Sequence, residues 1–317
     1  RWHQRLGHFH DAARGKLECF DCLEYKGKYK RSKQERPEKF EMPSPFLLVA
    51  ADFFGPIKPI SFRKFEWVFL FICDVCQYAD ARPIQRKSDA PEVLAEFVQG
   101  LRNKCGCQFG SSTNSKGHHI VAAIRTDNEP VLQSDAWKRV CKRANIIETH
   151  TVPCSPSMNP KAERLVGSIK DAMRASGAGT DPRAWCFNLE NVMRCWNLRT
   201  SKAATRCSVE GDTPYKVLKN ASANPLVTDE SERVRYMRRF GCLVFFKPGI
   251  LPSEVEAGSA LQPRRRRGVY LGLSKKNSGW LVGTYEAGAD GQAGQLAVWE
   301  TRSCVFCEDI LVRNVVE

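Results

Sequence analysis

The sequence predicts an α/β protein followed by a smaller all-β module. Apolar strand-like stretches alternate with amphipathic helical patterns between residues 46 and 198, which indicates an α/β sheet. From residue 234 onward, short β-branched and aromatic runs are separated by turn residues. The 317 residues have room for two or three domains of about 100 to 200 residues. No apolar run reaches the roughly 18 to 20 residues of a membrane-spanning helix, so we expect no membrane partner.

Residues 43–199 are predicted to form the first domain. The apolar stretches Phe46–Phe54 and Trp67–Ile84, with a Gly- and Pro-containing segment between them, predict two strands of a hairpin. Apolar residues at three-to-four spacing predict a helix over Ala90–Lys104. The other predicted elements are two strands and three helices: Ile120–Ile124, Ile146–Val152, Leu132–Ala144, Pro160–Ala175 and Pro182–Leu198.

The carboxyl-terminal part is predicted to be a linker and a β module. Residues 200–232 are polar and turn-rich, which favours a linker. Residues 233–317 contain five strand-like pieces whose spacing predicts a small β-barrel or sandwich. These pieces are Leu243–Phe246, Gly268–Leu273, Trp280–Tyr285, Leu296–Trp299 and Ser303–Phe306.

Charge and cysteine content narrow the partners and the compartment. Lys and Arg number 49 against 35 Asp and Glu, and the net charge of +14 favours a polyanionic partner, nucleic acid foremost. The 14 cysteines are spread through apolar segments, which fits a reducing compartment better than a disulfide framework. We expect most of them to be small buried residues.

Three carboxylates have positions typical of a functional site. Asp52 lies inside an apolar strand, where a buried carboxylate is costly unless it is paired or binds a metal. Asp127 follows a predicted strand, where side chains line the functional crevice of α/β sheets. Glu163 lies near the start of a helix that Asn159 caps and Pro160 opens. Taken singly, Asp127 also fits a turn residue and Glu163 a solvated helix residue.

The chemistry of these three groups predicts a hard cation. Oxygen ligands without His or Cys suit Mg²⁺ or Mn²⁺. Two such ions about 3.5 to 4 Å apart support an in-line phosphoryl displacement.

The helix that carries Glu163 has two distinct faces at 100° per residue. Its apolar stripe contains Ala162, Leu165, Val166, Ile169, Ala172 and Met173. An adjacent strip holds Glu163, Gly167, Lys170 and Arg174, which suits a metal beside a phosphate backbone. The DNA contacts predicted on this helix are Lys161, Arg164, Lys170 and Arg174.

Two neighbouring features are predicted to be structural. Cys73 and Cys76 lie in an apolar strand-like stretch, where their spacing would direct the thiols to opposite faces of a strand in the core. Asp74, in the same stretch, is predicted to make a structural hydrogen bond rather than to act as a fourth acid.

The segments around the three acids resemble the catalytic core of retroviral and retrotransposon integrases, and more narrowly of copia-type polyproteins. The resemblance rests on the segments 51–56 (ADFFGP), 125–129 (RTDNE) and 155–164 (SPSMNPKAER). Residues 128–162 give the 35-residue interval of the D,D-35-E pattern. The resemblance implies an RNase H-like fold with Asp52, Asp127 and Glu163 as the catalytic triad that binds two Mg²⁺ or Mn²⁺ ions. Pro160-Lys161 departs from the usual Gly-x, and the interval between the first two acids is wider than in retroviral relatives.

The amino-terminal residues 1–42 are predicted to form a zinc-binding segment and a basic linker. His3-x4-His8 and Cys19-x2-Cys22 have the ligand types and spacings of a structural Zn²⁺ site. The integrase family carries a similar His-His-Cys-Cys domain upstream of its core. Only residues 9–18 separate the two halves here, a shorter spacer than in relatives. His10 as an alternative ligand and a degraded finger both stay open.

The carboxyl-terminal module resembles the small SH3-like β-barrel that follows the core in copia-type polyproteins. The segments that carry the likeness are 238–243 (RRFGCL), 268–272 (GVYLG) and 279–280 (GW). A block of four arginines is predicted to bind DNA phosphates or to act as a nuclear import signal. A solvated turn is the alternative for this block, Arg264, Arg265, Arg266 and Arg267.

These features together predict a retrotransposon integrase, a polynucleotidyl transferase and endonuclease. It would process the 3′ ends of element DNA and join them to target DNA, as a homo-multimer in the nucleus after a cytoplasmic particle stage. Because the chain starts at Arg1, we expect a segment of a Gag-Pol polyprotein. Two alternatives stay open: an inactive or domesticated integrase-derived DNA-binding protein, and a stand-alone RNase H-like nuclease.

Overall fold

The protein is a mixed α/β structure built on two five-stranded sheets. The computed structural model describes residues 44–108, 111–150, 160–207, 213–227, 230–247, 265–274, 279–286 and 295–312. The strands of the first sheet are β1 (Leu48–Phe54), β2 (Trp67–Cys73), β3 (Ala79–Ile84), β4 (Ala123–Thr126) and β5 (Ile147–His150). The strands of the second sheet are β6 (Cys242–Phe246), β7 (Arg266–Leu273), β8 (Trp280–Glu286), β9 (Gln295–Thr301) and β10 (Cys304–Leu311). The α-helices are α1 (Ala90–Cys105), α2 (Asp135–Arg143), α3 (Pro160–Gly177), α4 (Trp185–Leu198), α5 (Lys202–Cys207) and α6 (Pro214–Ala221).

The first sheet has the strand order β3-β2-β1-β4-β5. β1, β2 and β3 pair antiparallel, whereas β4 is parallel to β1 and β5 is parallel to β4. The predicted single strand Trp67–Ile84 is wrong, because a turn at residues 74–78 divides it into β2 and β3. Cys76 and Tyr78 in this turn are buried, so the apolar pattern continues through it and does not indicate where β2 ends.

The two cysteines at this turn are core residues, as predicted, but their geometry differs from the prediction. Cys73 ends β2 and Cys76 lies in the turn, and both are buried. The Cys76 amide donates to Cys73 Sγ at 3.5 Å, and the two side chains are hydrogen-bonded. The thiols are therefore neighbours rather than on opposite faces of a strand.

Helices cover both faces of the first sheet because its central strands are apolar on both sides. Phe69 and Phe71 of β2 face the core formed with α1 and α2, and Phe71 stacks on Phe97 at 4.1 Å. Leu70 and Ile72 face the opposite core formed with α3 and α4. α2 begins at Asp135 rather than at the predicted Leu132, since Ser134 Oγ caps it by accepting from the Trp137 amide.

The segment 200–232, predicted as a linker, contains packed helices. α5 and α6 place Ala204, Val217 and Leu218 in the core beside α1. Thr213 caps α6 by accepting from the Lys216 amide at 3.1 Å. The structure thus joins this segment to the first sheet by packing, while the domain limits themselves stay a prediction.

The second sheet has the order β10-β6-β7-β8-β9, with every neighbouring pair antiparallel. Its five strands match the predicted ones within a few residues at each end. Within the described residues β9 and β10 are the edges of an open sheet, so the predicted barrel closure is not shown there. No helix in the described ranges combines the length and apolar character needed to cross a bilayer.

The second sheet packs against the helices of the first. Val269, Leu271 and Tyr285 belong to the same buried cluster as α3 and α4. Gly241 lies so close to the segment between α3 and α4 that a Cβ there would come within 2.0 Å of Thr180 Cγ2. The two sheets therefore share a core through α3 and α4.

Candidate functional site

Asp52 lies on β1, the central strand of the first sheet, and Asp127 directly follows the neighbouring strand β4. In the parallel pairing of β1 with β4, Ala50 is opposite Arg125. Asp52 follows Ala50 by two residues, and Asp127 follows Arg125 by two residues. Side chains two residues apart share a face of a strand. Ala50 belongs to the core formed with α3, so Asp52 lies on the face that α3 covers, and Asp127 is close enough for its charge to act on Asp52.

The Asp52 carboxyl is half-buried and surrounded by negative charge. Burial, together with the charges of Asp127, Glu163 and Glu129, raises its pKa to about 6. The Phe53 amide opposes this shift by donating to Asp52 Oδ1 at 2.7 Å. The structure thus brings Asp127 and Glu163 close enough to Asp52 for their charges to affect its ionisation.

Burial also raises the pKa of Asp127, assisted by the charge of Glu129. The Glu129 amide, which donates to Asp127 Oδ1 at 3.3 Å, and the charge of Lys87 act in the opposite direction. Lys87 Nζ lies 2.7 Å from Glu129 Oε2 and 4.5 Å from the centre of the Trp67 ring. The Lys87–Glu129 ion pair thus lies close to Asp52 and Asp127.

Sequence reasoning missed both members of this pair. For Glu129 a signal existed, because it is a second carboxylate two residues after Asp127. For Lys87 there was none, since it lies 42 positions from Glu129 at the start of a short 3-10 helix.

The two faces predicted for α3 are confirmed. Its apolar stripe is buried at Ala162, Leu165, Ile169 and Ala172. The members of the adjacent charged strip, Glu163, Lys170 and Arg174, are exposed. Lys170 Nζ lies 5.4 Å from the centre of the Phe54 ring, close to the end of β1, and Arg174 Nη1 lies 3.2 Å from Asp171 Oδ1.

The other predicted DNA contacts are in different surroundings. Lys161 Nζ lies 2.7 Å from Asp74 Oδ2 and also donates to the Asp74 carbonyl, so its charge is matched within the protein. Asp74 therefore has the structural role predicted for it. Exposed side chains are found at Arg164, Arg265, Arg266 and Arg267. The remaining predicted site residues lie outside the described residues: His3, His8, Cys19, Cys22 and Arg264.

The donor set fits Mg²⁺ or Mn²⁺, although its present geometry is not a closed metal site. Among the described residues, no three His, Cys, Asp or Glu side chains are close enough together to hold a metal ion. Asp52, Asp127 and Glu163 nevertheless offer carboxylate oxygens, the ligands these cations prefer. Glu163 is exposed, so its side chain is not fixed by packing in the core.

Comparison with solved structures gives distant likenesses. No family model matches the sequence. A similar solved structure is the cryo-EM structure of a simian T-cell lymphotropic virus intasome in complex with the PP2A regulatory subunit B56 gamma. The likeness covers 84% of this chain and 83% of that chain, with 14% sequence identity and a TM-score of 0.41.

Proposed function

We propose that the protein is a DNA integrase of the retrotransposon type, which trims the 3′ ends of element DNA and joins them to target DNA. One observation carries the proposal: an aspartate on β1, an aspartate just after the parallel β4 and a glutamate from the covering helix are so close that the last two both raise the pKa of Asp52. Packing these acids together disfavours the charged form of Asp52, and a divalent cation would relieve that repulsion.

The first sheet supports an RNase H-like core. Three antiparallel strands lead into β4 and β5, which run parallel to β1, and helices pack on both faces. In this order β1, which carries Asp52, is the central strand, and Asp127 directly follows the neighbouring β4. The proposed active site requires such an arrangement.

Asp52, Asp127 and Glu163 would hold the cations. A bound pair of Mg²⁺ or Mn²⁺ ions would lower the barrier to in-line displacement by stabilising the attacking and departing oxygens. The chain itself orients one of these ligands, because the Phe53 amide fixes Asp52 Oδ1. Lys87 moderates the negative charge by pairing with Glu129.

The reaction needs no covalent intermediate with the enzyme. In end trimming, water attacks the phosphodiester, and the bond from phosphorus to the 3′ oxygen breaks. In joining, the new 3′-hydroxyl attacks a phosphodiester of the target, and one P–O bond forms as another breaks. The number of phosphodiester bonds is conserved in the joining step, so no external energy source is required.

Positive charge on α3 and β7 supports DNA binding. Lys170 and Arg174 are exposed on the same strip of α3 as Glu163, where they would contact the backbone of bound DNA. The exposed Arg265, Arg266 and Arg267 at the start of β7 are a second basic group in this proposal. Backbone contacts position DNA without reading its sequence, so target choice would be weakly sequence-specific.

The finer parts of the proposal rest on sequence motifs. These are the copia-type assignment, a zinc segment ligated by His3, His8, Cys19 and Cys22, and a multimer that acts on two DNA ends.

A strand-transfer assay with Mg²⁺ or Mn²⁺ tests the proposal. We expect the unaltered chain to join a DNA 3′ end to target DNA, and Asp52→Asn and Glu163→Gln to abolish joining. Glu92→Gln is the matched control, because Glu92 is likewise exposed in the first turn of a helix, α1. Joining that persists in either site variant contradicts the catalytic assignment, while cleavage without joining favours a stand-alone nuclease.

A second candidate is a DNA-binding protein that lacks catalysis. The observation that favours it is the absence, within the described ranges, of three acids at metal-binding distance. DNA binding with neither cleavage nor joining in the same assay would select this candidate.

A further inference from the structure

We propose that Asp74 is a positioning residue, which holds α3 and β4 against β1 so that Glu163 and Asp127 stand close to Asp52. The inference rests on the proposed metal-dependent function. It assigns a role to the Asp74 carboxylate, which is outside the triad and pairs with the positively charged side chains of Lys161 and Arg125.

The contact with α3 is made through Lys161. Lys161 Nζ lies 2.7 Å from Asp74 Oδ2, and it also donates to the Asp74 carbonyl. Lys161 is the second residue of α3 and precedes Glu163 by two positions. These two contacts fix the distance between the start of α3 and the sheet. They therefore also fix the position of the Glu163 backbone.

The contacts with the sheet involve β1 and β4. The Asp74 amide donates to the Leu48 carbonyl of β1 at 3.0 Å. Arg125 Nη1 lies 3.8 Å from Asp74 Oδ1, and Arg125 lies on β4, which ends one residue before Asp127. One carboxylate residue is thus connected to each of the three elements that carry the acids.

Burial makes these contacts stronger than an ordinary surface ion pair. The Asp74 side chain is only 10% exposed, and the Lys161 and Arg125 side chains are 33% exposed. A charge in such a site is poorly solvated, so removing its partner is more costly than breaking an exposed pair. The geometry therefore favours a fixed connection.

A matched ion pair elsewhere separates positioning from plain stabilisation. Arg183 Nη2 lies 2.7 Å from Asp181 Oδ2, with side-chain exposures of 31% and 6%. Its length and burial resemble those of the Lys161–Asp74 pair, but it lies in the short 3-10 helix before α4. Asp181→Asn is therefore the control for a lost buried pair.

The test measures Mn²⁺ affinity, amide hydrogen exchange in the first turn of α3, and thermal stability of the full chain. We expect Asp74→Asn to weaken Mn²⁺ binding about tenfold or more, as outer-shell substitutions commonly do, and to speed exchange at residues 161–164. Lys161→Arg should retain most of the affinity. Asp181→Asn should lower the melting temperature and leave Mn²⁺ affinity unchanged.

A second variant keeps the test valid if Asp74→Asn alone does not fold. The double substitution Asp74→Asn with Lys161→Gln leaves no unpaired charge between the two positions, and we expect the same loss of Mn²⁺ affinity in a folded chain. Unchanged affinity in this variant and in Asp74→Asn, beside an unaltered chain that binds Mn²⁺, would overturn this inference alone. An unaltered chain without saturable Mn²⁺ binding would overturn the proposed function and this inference together.

Discussion

Asp52 of β1 and Asp127, just after the end of β4, each lie two residues beyond the Ala50 and Arg125 pair of these parallel strands. Residues 53–126 separate them in the sequence, yet the fold brings them close enough for the charge of Asp127 to raise the pKa of Asp52. The closeness has an energetic cost, because burial and the neighbouring charge raise the pKa of Asp52 to about 6. The site therefore lowers the stability of the cation-free protein at neutral pH, and this cost is measurable.

Asp52→Asn is expected to stabilise the cation-free protein at pH ~7. The folded pKa of about 6 lies above the ordinary value of 3.8, so the folded state binds more protons between these values. Stability therefore falls as pH rises through this window, by up to about 3 kcal/mol in total. Denaturant unfolding at pH ~7 and pH ~4 checks the prediction, and an equal effect of the substitution at both pH values would contradict it.

Glu163→Gln is expected to separate stability from activity. Since Glu163 is exposed near the start of α3, its substitution should change the free energy of unfolding by only about 0.5 kcal/mol. Glu92→Gln in the first turn of α1 should have a similarly small effect. Only Glu163→Gln should abolish strand transfer. Loss of activity in both variants would contradict a specific role for Glu163.

Glu129→Gln is expected to lower the pKa of both aspartates. Glu129 raises each of these pKa values by its charge, whereas Lys87 lowers that of Asp127. The substitution removes the first effect and leaves the lysine charge without its Glu129 partner. The pH midpoint of Mn²⁺ binding should therefore move to lower pH, which a series of titrations across pH would show.

The exposed Glu96 provides the comparison for that experiment, because its carboxylate pairs with Arg82 at 3.0 Å on the outer side of α1. Glu96→Gln should leave the midpoint in place. A midpoint that is unmoved or raised in Glu129→Gln would show that Glu129 does not act on the site.

Leu271→Ala is expected to destabilise the whole described structure in one transition. Leu271 of β7 is 1% exposed and packs in the cluster that α3 and α4 share with the first sheet. Removing a buried leucine side chain costs about 2 to 5 kcal/mol. Urea unfolding followed by tryptophan fluorescence and by circular dichroism should give coincident curves.

The half-exposed Val305 on β10 offers a control, since Val305→Ala should have a small effect. Two separated transitions in the unaltered chain would contradict the shared core. They would instead support independent folding of the predicted carboxyl-terminal module.

The sequence predicted local features correctly where spacing and periodicity carry the information. The amphipathic period of α3 correctly separated the exposed Glu163 from the buried Leu165 and Ile169. The apolar surroundings of Asp52 likewise correctly indicated a costly carboxylate. Both conclusions depend on local sequence patterns, which can be recognised in a single sequence.

Contacts between distant segments were beyond the sequence. Lys161 belonged to a basic pattern that favours DNA, yet its ammonium pairs with Asp74, 87 positions away. Lys87 had no motif, because its importance comes only from the approach of Glu129. The turn after Cys73 was missed for a related reason, since Cys76 and Tyr78 within it are buried in the core and continue the apolar pattern of β2.

Equilibrium titration with Mn²⁺ tests the central claim most directly, because the claim is that Asp52, Asp127 and Glu163 form one cation site. The full-length chain and the variants Asp52→Asn, Asp127→Asn and Glu163→Gln would be titrated at neutral pH, with Glu92→Gln as the control. We predict saturable binding by the unaltered chain and the control, and affinity about tenfold or more weaker in each of the three site variants. Equal affinity in all five proteins, or no binding by the unaltered chain, would contradict the account.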